Sequence, residues 1–280
     1  MINRFIRLLR QFYHGIMEDE VLALGAQMAY YLILSFFPFL IFLIALIGYS
    51  PISSQQALEG LLAILPDEAY ILVRDTVVDI VDAKTGGLVP ISGILSLWFA
   101  SNGIGSIITG LNKAYDEVEG RPFWKVKLIS IGFTLLLTLT IIFSFVLLIF
   151  GGVIKRQLID GMELKPIYQG IWDTGRYIFI SMVILLVFIG LYRFTPSRKM
   201  TWREVIPGAI FSTLGWLGAS LAFAYYVDNF GNYSKFYGSI GGVVILLIWL
   251  YFSAVILLLG GELNAALAYT RESKDKVGND

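Results

Sequence analysis

The chain has 280 residues, of which 57% are hydrophobic and only 15% are charged. Soluble domains usually carry about 25% charged residues, and a mean hydropathy of +0.74 also separates this chain from them. The 21 basic and 21 acidic side chains cancel, so no global positive field indicates nucleic acid as a partner. The absence of cysteine and the presence of one histidine, His14, argue against disulfides, thiolate chemistry and imidazole metal sites. The composition predicts an all-α integral membrane protein.

Residues 1–20 form a basic amphipathic segment. Apolar side chains recur at helical spacing through the segment, and Arg4, Arg7 and Arg10 occupy the opposite face. Such a helix is typical of the membrane interface, where its arginines would contact anionic lipid headgroups. A secretory signal fits less well, because the apolar run that follows is much longer than a signal core and has no cleavage-like end.

Six uncharged runs follow, and a helix of roughly 20 apolar residues suffices to cross a bilayer core. The predicted spans cover about residues 23–49, 88–112, 128–153, 175–194, 204–227 and 239–267. The first span is expected to bend at Pro38. The fourth rests on an uncharged run of only 16 residues, which Arg176 and Arg193 would extend by snorkelling from its ends.

Lysine and arginine are distributed unequally between alternate loops. The side that carries both termini has 14 of them and the other side has 7. The positive-inside rule therefore predicts that both termini are cytoplasmic. The long first outer loop is expected to be helical, because residues 53–65 and 67–82 both have amphipathic patterns, separated by Pro66.

The second span is rich in small residues, and Asn102-Gly103 lies well inside it. Small pairs such as Ser96/Ala100 let helices approach closely, and such seams could also join two copies of the chain. One interpretation of Asn102-Gly103 is a packing seam with a hydrogen bond between helices. The other is an unwound segment that lines a cavity, as in transporters with broken helices.

Thr201-Trp202-Arg203-Glu204 has the pattern of a capping box, in which the first and fourth residues satisfy free backbone groups at a helix start. It predicts that the fifth membrane helix begins near Thr201. Pro207 then falls within the first turns, where its missing N–H costs least. We interpret this motif as structural.

The last span ends in a carboxylate, Glu262, that follows 26 uncharged residues. A carboxylate at this depth could simply snorkel to water. However, Gly260 and Gly261 remove bulk beside it, and Asn264 projects about 200° away around the helix. Glu262 should therefore find its partner on another segment, and an unpaired buried carboxyl could carry protons. The cationic candidates at similar depth are Lys113, Arg121 and Arg193.

Several short stretches occur in a characteristic order over nearly the whole chain. They are Ala29-Tyr30-Tyr31 with Ser35-Phe36-Phe37-Pro38, Leu111-Asn112-Lys113-Ala114-Tyr115, Arg121-Pro122-Phe123-Trp124-Lys125, Pro207-Gly208-Ala209, Tyr237-Gly238-Ser239, and Trp249-Leu250-Tyr251 with Gly261-Glu262-Leu263-Asn264-Ala265. In this combination the chain resembles the YihY/BrkB family of bacterial inner-membrane proteins, once labelled ribonuclease BN. The resemblance implies six spans and a bacterial cytoplasmic (inner) membrane, and it carries over no catalytic residue. Its motif in the cytoplasmic loop includes Lys113, Tyr115, Arg121, Pro122 and Trp124.

The old ribonuclease label can be tested against the residues. Phosphodiester hydrolysis usually needs clustered metal ligands or an acid–base pair. The nearest acidic group, Asp116, Glu117 and Glu119, alternates with basic residues, which is typical of a salt-bridged helix end rather than a metal site. We therefore expect no enzyme, no metal and no cofactor, and ribonuclease is the least favoured function.

Two other functions remain. The first is a permease or a translocator of lipids or small solutes, in which polar side chains line a path between helices. The second is a structural or envelope-assembly protein that uses the small-residue seams for association. No nucleotide-binding loop is present, so any transport would proceed without ATP hydrolysis by this chain. The candidate pathway residues are Gln27, Tyr30, Tyr31, Asn102, Asn112, Glu262 and Asn264.

Overall fold

The computed structural model describes residues 2–48, 88–154, 166–230 and 241–277, and within these ranges it contains seven α-helices and no strand. They are α1 (Ile2–Glu18), α2 (Val21–Gly48), α3 (Leu88–Ala114), α4 (Phe123–Ile154), α5 (Pro166–Phe194), α6 (Trp202–Phe230) and α7 (Gly241–Val277). The predicted all-α class is confirmed for this part of the chain. The helices predicted over residues 53–65 and 67–82 lie outside it.

Five of the described helices contain a segment long and apolar enough to cross a membrane. The segments are Val21–Phe39, Pro90–Ala114, Phe123–Thr140, Trp202–Val227 and Gly241–Thr270. The apolar part of α5, Ile178–Phe194, is shorter, in keeping with its short uncharged run. The prediction of a sixth span therefore depends on α5.

α3 runs as a continuous helix through Asn102-Gly103, so the interpretation of an unwound segment is wrong. A Cβ added at Gly103 would lie 3.5 Å from the Leu32 side chain and 3.7 Å from the Met28 carbonyl oxygen, which is ordinary packing distance. The helix also satisfies its own small polar groups, because the Ser101 hydroxyl donates to the Trp98 carbonyl at 2.8 Å. This part of α3 is a packing seam against α2.

The start of α6 confirms the predicted capping box. The helix begins at Trp202, and the Glu204 carboxylate accepts hydrogen bonds from both the backbone N–H and the hydroxyl of Thr201, each at 2.7 Å. The carboxylate thus satisfies a backbone donor that the helix leaves free. Pro207 follows within the helix, as expected.

The contacts between described residues group into two compact units. Unit 1 draws on Met1–Val21, Ile108–Leu217 and Ile256–Asp280, and unit 2 on Leu22–Ile107 and Gly218–Val255. Unit 2 contains the α2–α3 seam. Unit 1 contains α1, α4, α5, the ends of α3 and α7, and the start of α6.

The core of unit 1 is built where α6 and α7 cross at two glycines. A Cβ at Gly208 would overlap the Gly260 carbonyl oxygen, so the two backbones are in contact. Beside this crossing the hydroxyl of buried Tyr192 donates to the Leu257 carbonyl and lies 2.6 Å from the Ser212 hydroxyl. Small residues are required here because the backbones leave no room for side chains.

α1 has three faces. One packs on unit 1: the rings of Phe12 and Phe211 meet edge to face at 6.5 Å, and the Thr270 hydroxyl lies 2.9 Å from Gln11 Oε1. A second face is apolar and exposed and consists of Ile6, Leu9, Tyr13 and Met17. The third is polar and exposed and includes Arg10, His14 and Glu18. A helix with these three faces can bind protein, lipid and water at once.

Candidate functional site

A polar cluster, here called the Glu119 hub, joins the α3–α4 turn to the α5–α6 connection in unit 1. Arg121 binds both carboxylate oxygens of Glu119 at 2.7–2.8 Å and donates to the Thr195 carbonyl at 2.7 Å. Asn112 Nδ2 donates to Glu119 at 2.9 Å, and Asn112 Oδ1 accepts from the Ser197 N–H at 2.8 Å. The Ser197 hydroxyl completes the hub by donating to Glu119 at 3.0 Å.

Glu119 and Arg121 form an ion pair at the centre of the hub. Hydrogen bonds from Arg121 lower the pKa of Glu119 to about 2, so its carboxylate is ionised at neutral pH. Bidentate pairs of this kind fix geometry as well as charge. Both ends of the Asn112 amide are occupied within the hub, which favours a structural role for this candidate pathway residue.

Asn264 has an equally complete set of partners. It is fully buried, its Oδ1 accepts from the Gly208 N–H at 2.6 Å, and its Nδ2 donates to the Val205 carbonyl at 3.2 Å. The amide therefore clamps α7 to the first turns of α6, beside the backbone contact at Gly208. This arrangement is a structural use of a buried polar group rather than the lining of an open path.

Glu262 is 4% exposed and faces α1. A Cβ added at Gly15 would overlap its carboxyl oxygen, and the same position lies 3.9 Å from Asp19 Oδ2. The two carboxyls are close enough for a hydrogen bond when one of them holds a proton. The prediction that Glu262 has its partner on another segment is correct, but that partner is a second acid.

The three cationic partners expected for Glu262 are all engaged elsewhere. Lys113 pairs with Glu20 at 3.1 Å. Arg121 belongs to the Glu119 hub. Arg193 donates to the Met200 carbonyl at 2.6 Å, and its guanidinium lies 4.1 Å from the ring centroid of Trp202. None of the three candidates therefore pairs with Glu262 among the described residues, because α1 packs over this face and Asp19, just after α1, brings a carboxyl there.

The four remaining candidate pathway residues lie in unit 2. Gln27 and Tyr30 are exposed, and the Tyr30 ring meets that of Tyr31 edge to face at 5.5 Å. Tyr31 and Asn102 are half-buried. The candidates thus differ in environment: two are buried and fully hydrogen-bonded amides, one is a buried acid, two are half-buried and two are exposed.

The remaining motif residues of the α3–α4 turn have contrasting surroundings. Tyr115 is 3% exposed, lies under the guanidinium of Arg198 at 5.8 Å, and its hydroxyl has no hydrogen-bond partner among the described residues. Burial raises the pKa of Tyr115, so its phenol stays neutral. Pro122 and Trp124 are exposed at the start of α4, where an amphipathic tryptophan is typical of a membrane interface. Lys113 also lines a cavity of about 170 Å³ beside the hub.

Sequence reasoning missed several residues of this region. The sequence predicts Glu119 only as part of a salt-bridged helix end. This prediction includes its contact with Arg121 but not its hydrogen bonds from Asn112 and Ser197. The sequence does not predict the contact of Asp19 with Glu262, because nothing in residues 1–20 indicates which face of α1 packs on the rest of the protein. Within the described part of the chain, no group of three His, Cys, Asp or Glu side chains is arranged to hold a metal ion.

The five long apolar helices and the buried polar contacts of unit 1 define a multi-pass, all-helical membrane protein. The model of the Virulence factor BrkB family matches residues 12–280, and the chain belongs to this family. This confirms the resemblance to the YihY/BrkB family. No solved structure is similar to the chain.

The chain is similar to YfkH of Bacillus subtilis (strain 168), with 39% identity over 252 residues, covering 90% of this chain and 92% of YfkH. It is also similar to a UPF0761 membrane protein of Alteromonas mediterranea, with 26% identity over 92% of this chain and 86% of that one. A UPF0761 membrane protein of Tolumonas auensis is 33% identical over 43% of this chain and 41% of its own length. YfkH bears the name ribonuclease-like protein, but the BrkB/UPF0761 membrane family is not a known enzyme family.

Proposed function

We propose that this protein is a permease or translocator that moves a lipid or small solute across a bacterial membrane without ATP hydrolysis of its own. The observation that carries the proposal is Glu262, a carboxyl that is 4% exposed on a long apolar helix. No basic side chain among the described residues pairs with it. A carboxyl in such a place is costly, and membrane proteins retain such groups chiefly on pathways for ions, protons or substrates.

We then divide the polar candidates into residues proposed to act in translocation, the working site, and residues with a structural role, the frame. Glu262 is the first candidate for the working site, and half-buried Tyr31 and Asn102 are further candidates. Asn112 and Asn264 belong to the frame, because their amides are occupied by fixed partners. Exposed Gln27 and Tyr30 would contribute only where a path reaches the helix surface.

The proposed setting is the cytoplasmic (inner) membrane, with six spans and both termini in the cytoplasm. The 14-to-7 division of Lys and Arg supports this orientation. The exposed apolar face of α1 supports a position at the membrane interface, with Arg4, Arg7 and Arg10 near anionic lipids. We propose no nucleic-acid partner, and small-residue seams such as that of α3 as the surface for any homo-oligomer.

Reconstitution of the purified protein into liposomes tests transport directly. Flux of ions, small solutes and fluorescent lipids would be compared with that of protein-free vesicles. Translocation requires at least one class to move faster in the protein-containing vesicles. A matched variant, Glu18→Gln, removes an exposed carboxyl of α1 and should leave that flux unchanged.

A structural or envelope-assembly role is the second candidate. The backbone contact at Gly208 and the clamp formed by Asn264 favour it, because both hold α6 and α7 together. The two functions differ in the consequence of neutralising Glu262. A scaffold requires only that the protein folds and assembles, so Glu262→Gln would leave it working.

A further inference from the structure

We propose that Asp19 and Glu262 form a proton-dependent latch: α1 stays docked on unit 1 while the pair holds a proton, and it is released when both carboxyls are ionised. This inference goes beyond the proposed function and does not depend on it. It requires only that the docking of α1 responds to pH. The latch would give the protein a device for sensing proton concentration at one end of its helices.

The geometry places both carboxyls beneath the last turn of α1. Glu262 is 4% exposed, and a Cβ at Gly15 would overlap its carboxyl oxygen. Asp19 Oδ2 lies 3.9 Å from the same position. Gly15 thus leaves room for the Glu262 carboxyl against α1, and the two acids lie beside it.

A hydrogen bond between two carboxyls needs a proton, because an ionised carboxylate can only accept. Two ionised carboxylates in a site with little water would repel each other and lose hydration. Burial also raises the pKa of Asp19. The docked arrangement is therefore compatible with one negative charge on the pair and disfavoured by two.

The surrounding charges do not offset the repulsion that appears when the pair loses its proton. Around the pair, the end of α1 and the residues just after it contribute two further carboxylates, the end of α3 and the turn after it contribute one amine, one carboxylate and one buried phenol, and α5 contributes another buried phenol. These groups are Glu18, Glu20, Lys113, Asp116, Tyr115 and Tyr192. The amine is already paired with Glu20 at 3.1 Å, and the carboxylates outnumber it. Repulsion within the docked, doubly ionised pair would thus go uncompensated.

Released α1 has an alternative surface to bind, the bilayer. Its other contacts with the rest of unit 1 include an aromatic edge contact through Phe12 and a hydrogen bond between Gln11 and Thr270, and Glu20, just after α1, forms an exposed ion pair. Its exposed apolar face can bind the bilayer surface by itself. Docked and released α1 would each have satisfied surfaces, which is what a two-state element requires.

The direction of the pH response follows from proton counting. The docked pair holds a proton that the released, water-exposed carboxyls give up, so raising the pH favours release. Docking should weaken as the pH rises above 3.8, the ordinary pKa of Asp19. Lowering the pH again should restore it.

Distance measurement between two spin labels in the full chain, in lipid nanodiscs, tests the latch. The chain has no cysteine, so His14→Cys on α1 and Lys199→Cys on the α5–α6 connection place the labels at exposed sites. Replacing His14 also removes the single histidine, so a response between about pH 5 and pH 9 comes from other groups. We expect one short distance at low pH and an added, longer distance at high pH. A pair at Lys125→Cys and Lys199→Cys should stay constant.

Two variants identify the latch. Glu262→Gln can donate an amide N–H to Asp19, and Asp19→Asn can donate one to Glu262. Neither contact needs a proton shared between two carboxyls, so each variant should keep α1 docked at low and at high pH. Glu18→Gln, on the exposed face, should still release α1 at high pH, because it leaves both carboxyls of the latch in place. A wild type with the same distance at both pH values would overturn the latch. A wild-type response in Asp19→Asn would overturn it too, even if Glu262→Gln failed to fold. The readout is independent of flux, so failure of the translocator and failure of the latch are separate results.

Discussion

At the scale of single residues, the buried polar side chains of unit 1 differ in how their hydrogen-bonding atoms are used. The amides of Asn112 and Asn264 each donate and accept, and they hold neighbouring segments together. Glu262 has a carboxyl for its partner and needs a proton to make that contact. Fixed hydrogen-bond partners, rather than burial alone, therefore distinguish Asn112 and Asn264 from Glu262, the residue that we propose to act in translocation.

The contact between α6 and α7 predicts that Gly208→Ala is strongly destabilising. Its Cβ would overlap the Gly260 carbonyl and the Asn264 amide, which are parts of a fixed clamp, so we expect a loss of roughly 1–3 kcal/mol or more. Gly218→Ala on the same helix is the matched control, because nothing lies within 4 Å of its Cβ. Thermal unfolding in detergent compares them, and equal melting temperatures would show that the backbones do not touch.

The Glu119 hub predicts a loss of stability in acid. The pKa of Glu119 is about 2, below its ordinary 4.5, so its contribution is present above pH 4.5 and is lost as the pH falls through about 2. The Glu119→Gln variant lacks this contribution at every pH. The difference in melting temperature between the wild type and Glu119→Gln should therefore be largest near neutral pH and shrink toward pH 2.

Glu117→Gln serves as the control for the hub, because Glu117 is exposed on the same turn and outside the hub. It should cost little at any pH. A difference between the wild type and Glu119→Gln that stays constant down to pH 2 would contradict the role assigned to the hub.

At the scale of helices, local signals in the sequence were the most informative. The capping box at Thr201 correctly predicted the start of α6, and long apolar runs predicted the positions of α2, α3, α4, α6 and α7. The contacts that join segments far apart in sequence could not be predicted. The docking face of α1, the clamp at Asn264 and the partner of Glu262 depend on tertiary packing, which no spacing along one helix reveals. Asn102-Gly103 left two interpretations open for the same reason, since small residues suit either a seam or a break.

The end of α3 has a Schellman motif with an unusual residue. The Glu117 N–H bonds the Asn112 carbonyl and the Asp116 N–H bonds the Lys113 carbonyl, each at 2.9 Å, while Asp116 has a φ of 52°. Aspartate tolerates this left-handed conformation better than β-branched residues do.

We therefore expect Asp116→Val to destabilise the protein by roughly 1–2 kcal/mol, and Asp116→Asn to be nearly neutral. The Asn side chain also keeps an acceptor for the Tyr269 hydroxyl, which lies 2.9 Å from the Asp116 carboxylate. Glu117→Val, one position further on, controls for adding an apolar side chain to this turn. Melting in detergent measures all three, and equal losses for the two valine variants would contradict the backbone explanation.

At the scale of the whole molecule, the charge distribution predicts the orientation of the chain in the membrane. The 14-to-7 division of Lys and Arg predicts six spans with both termini cytoplasmic. Because the chain has no cysteine, single cysteines can report on each side without a background.

We expect Asp79→Cys, in the predicted outer loop, to react with an impermeant thiol reagent added to intact cells. Glu119→Cys should be protected until the membrane is opened. Asp79 lies outside the described residues, so its reactivity tests the sequence prediction alone. Labelling at position 119 and protection at position 79 would indicate the opposite topology and contradict the prediction.

The initial rate of flux of Glu262→Gln in liposomes tests most directly whether this buried carboxyl works in translocation. Glutamine keeps the shape and the hydrogen bond to Asp19 but cannot exchange a proton, so the melting temperature should stay close to that of the wild type. We expect flux to fall about tenfold or more, equivalent to about 1.4 kcal/mol in barrier. Glu262→Ala should lose both flux and stability, because it leaves a cavity and an unpaired Asp19. Wild-type flux together with a wild-type melting temperature in Glu262→Gln would contradict the assignment of Glu262 as the functional residue.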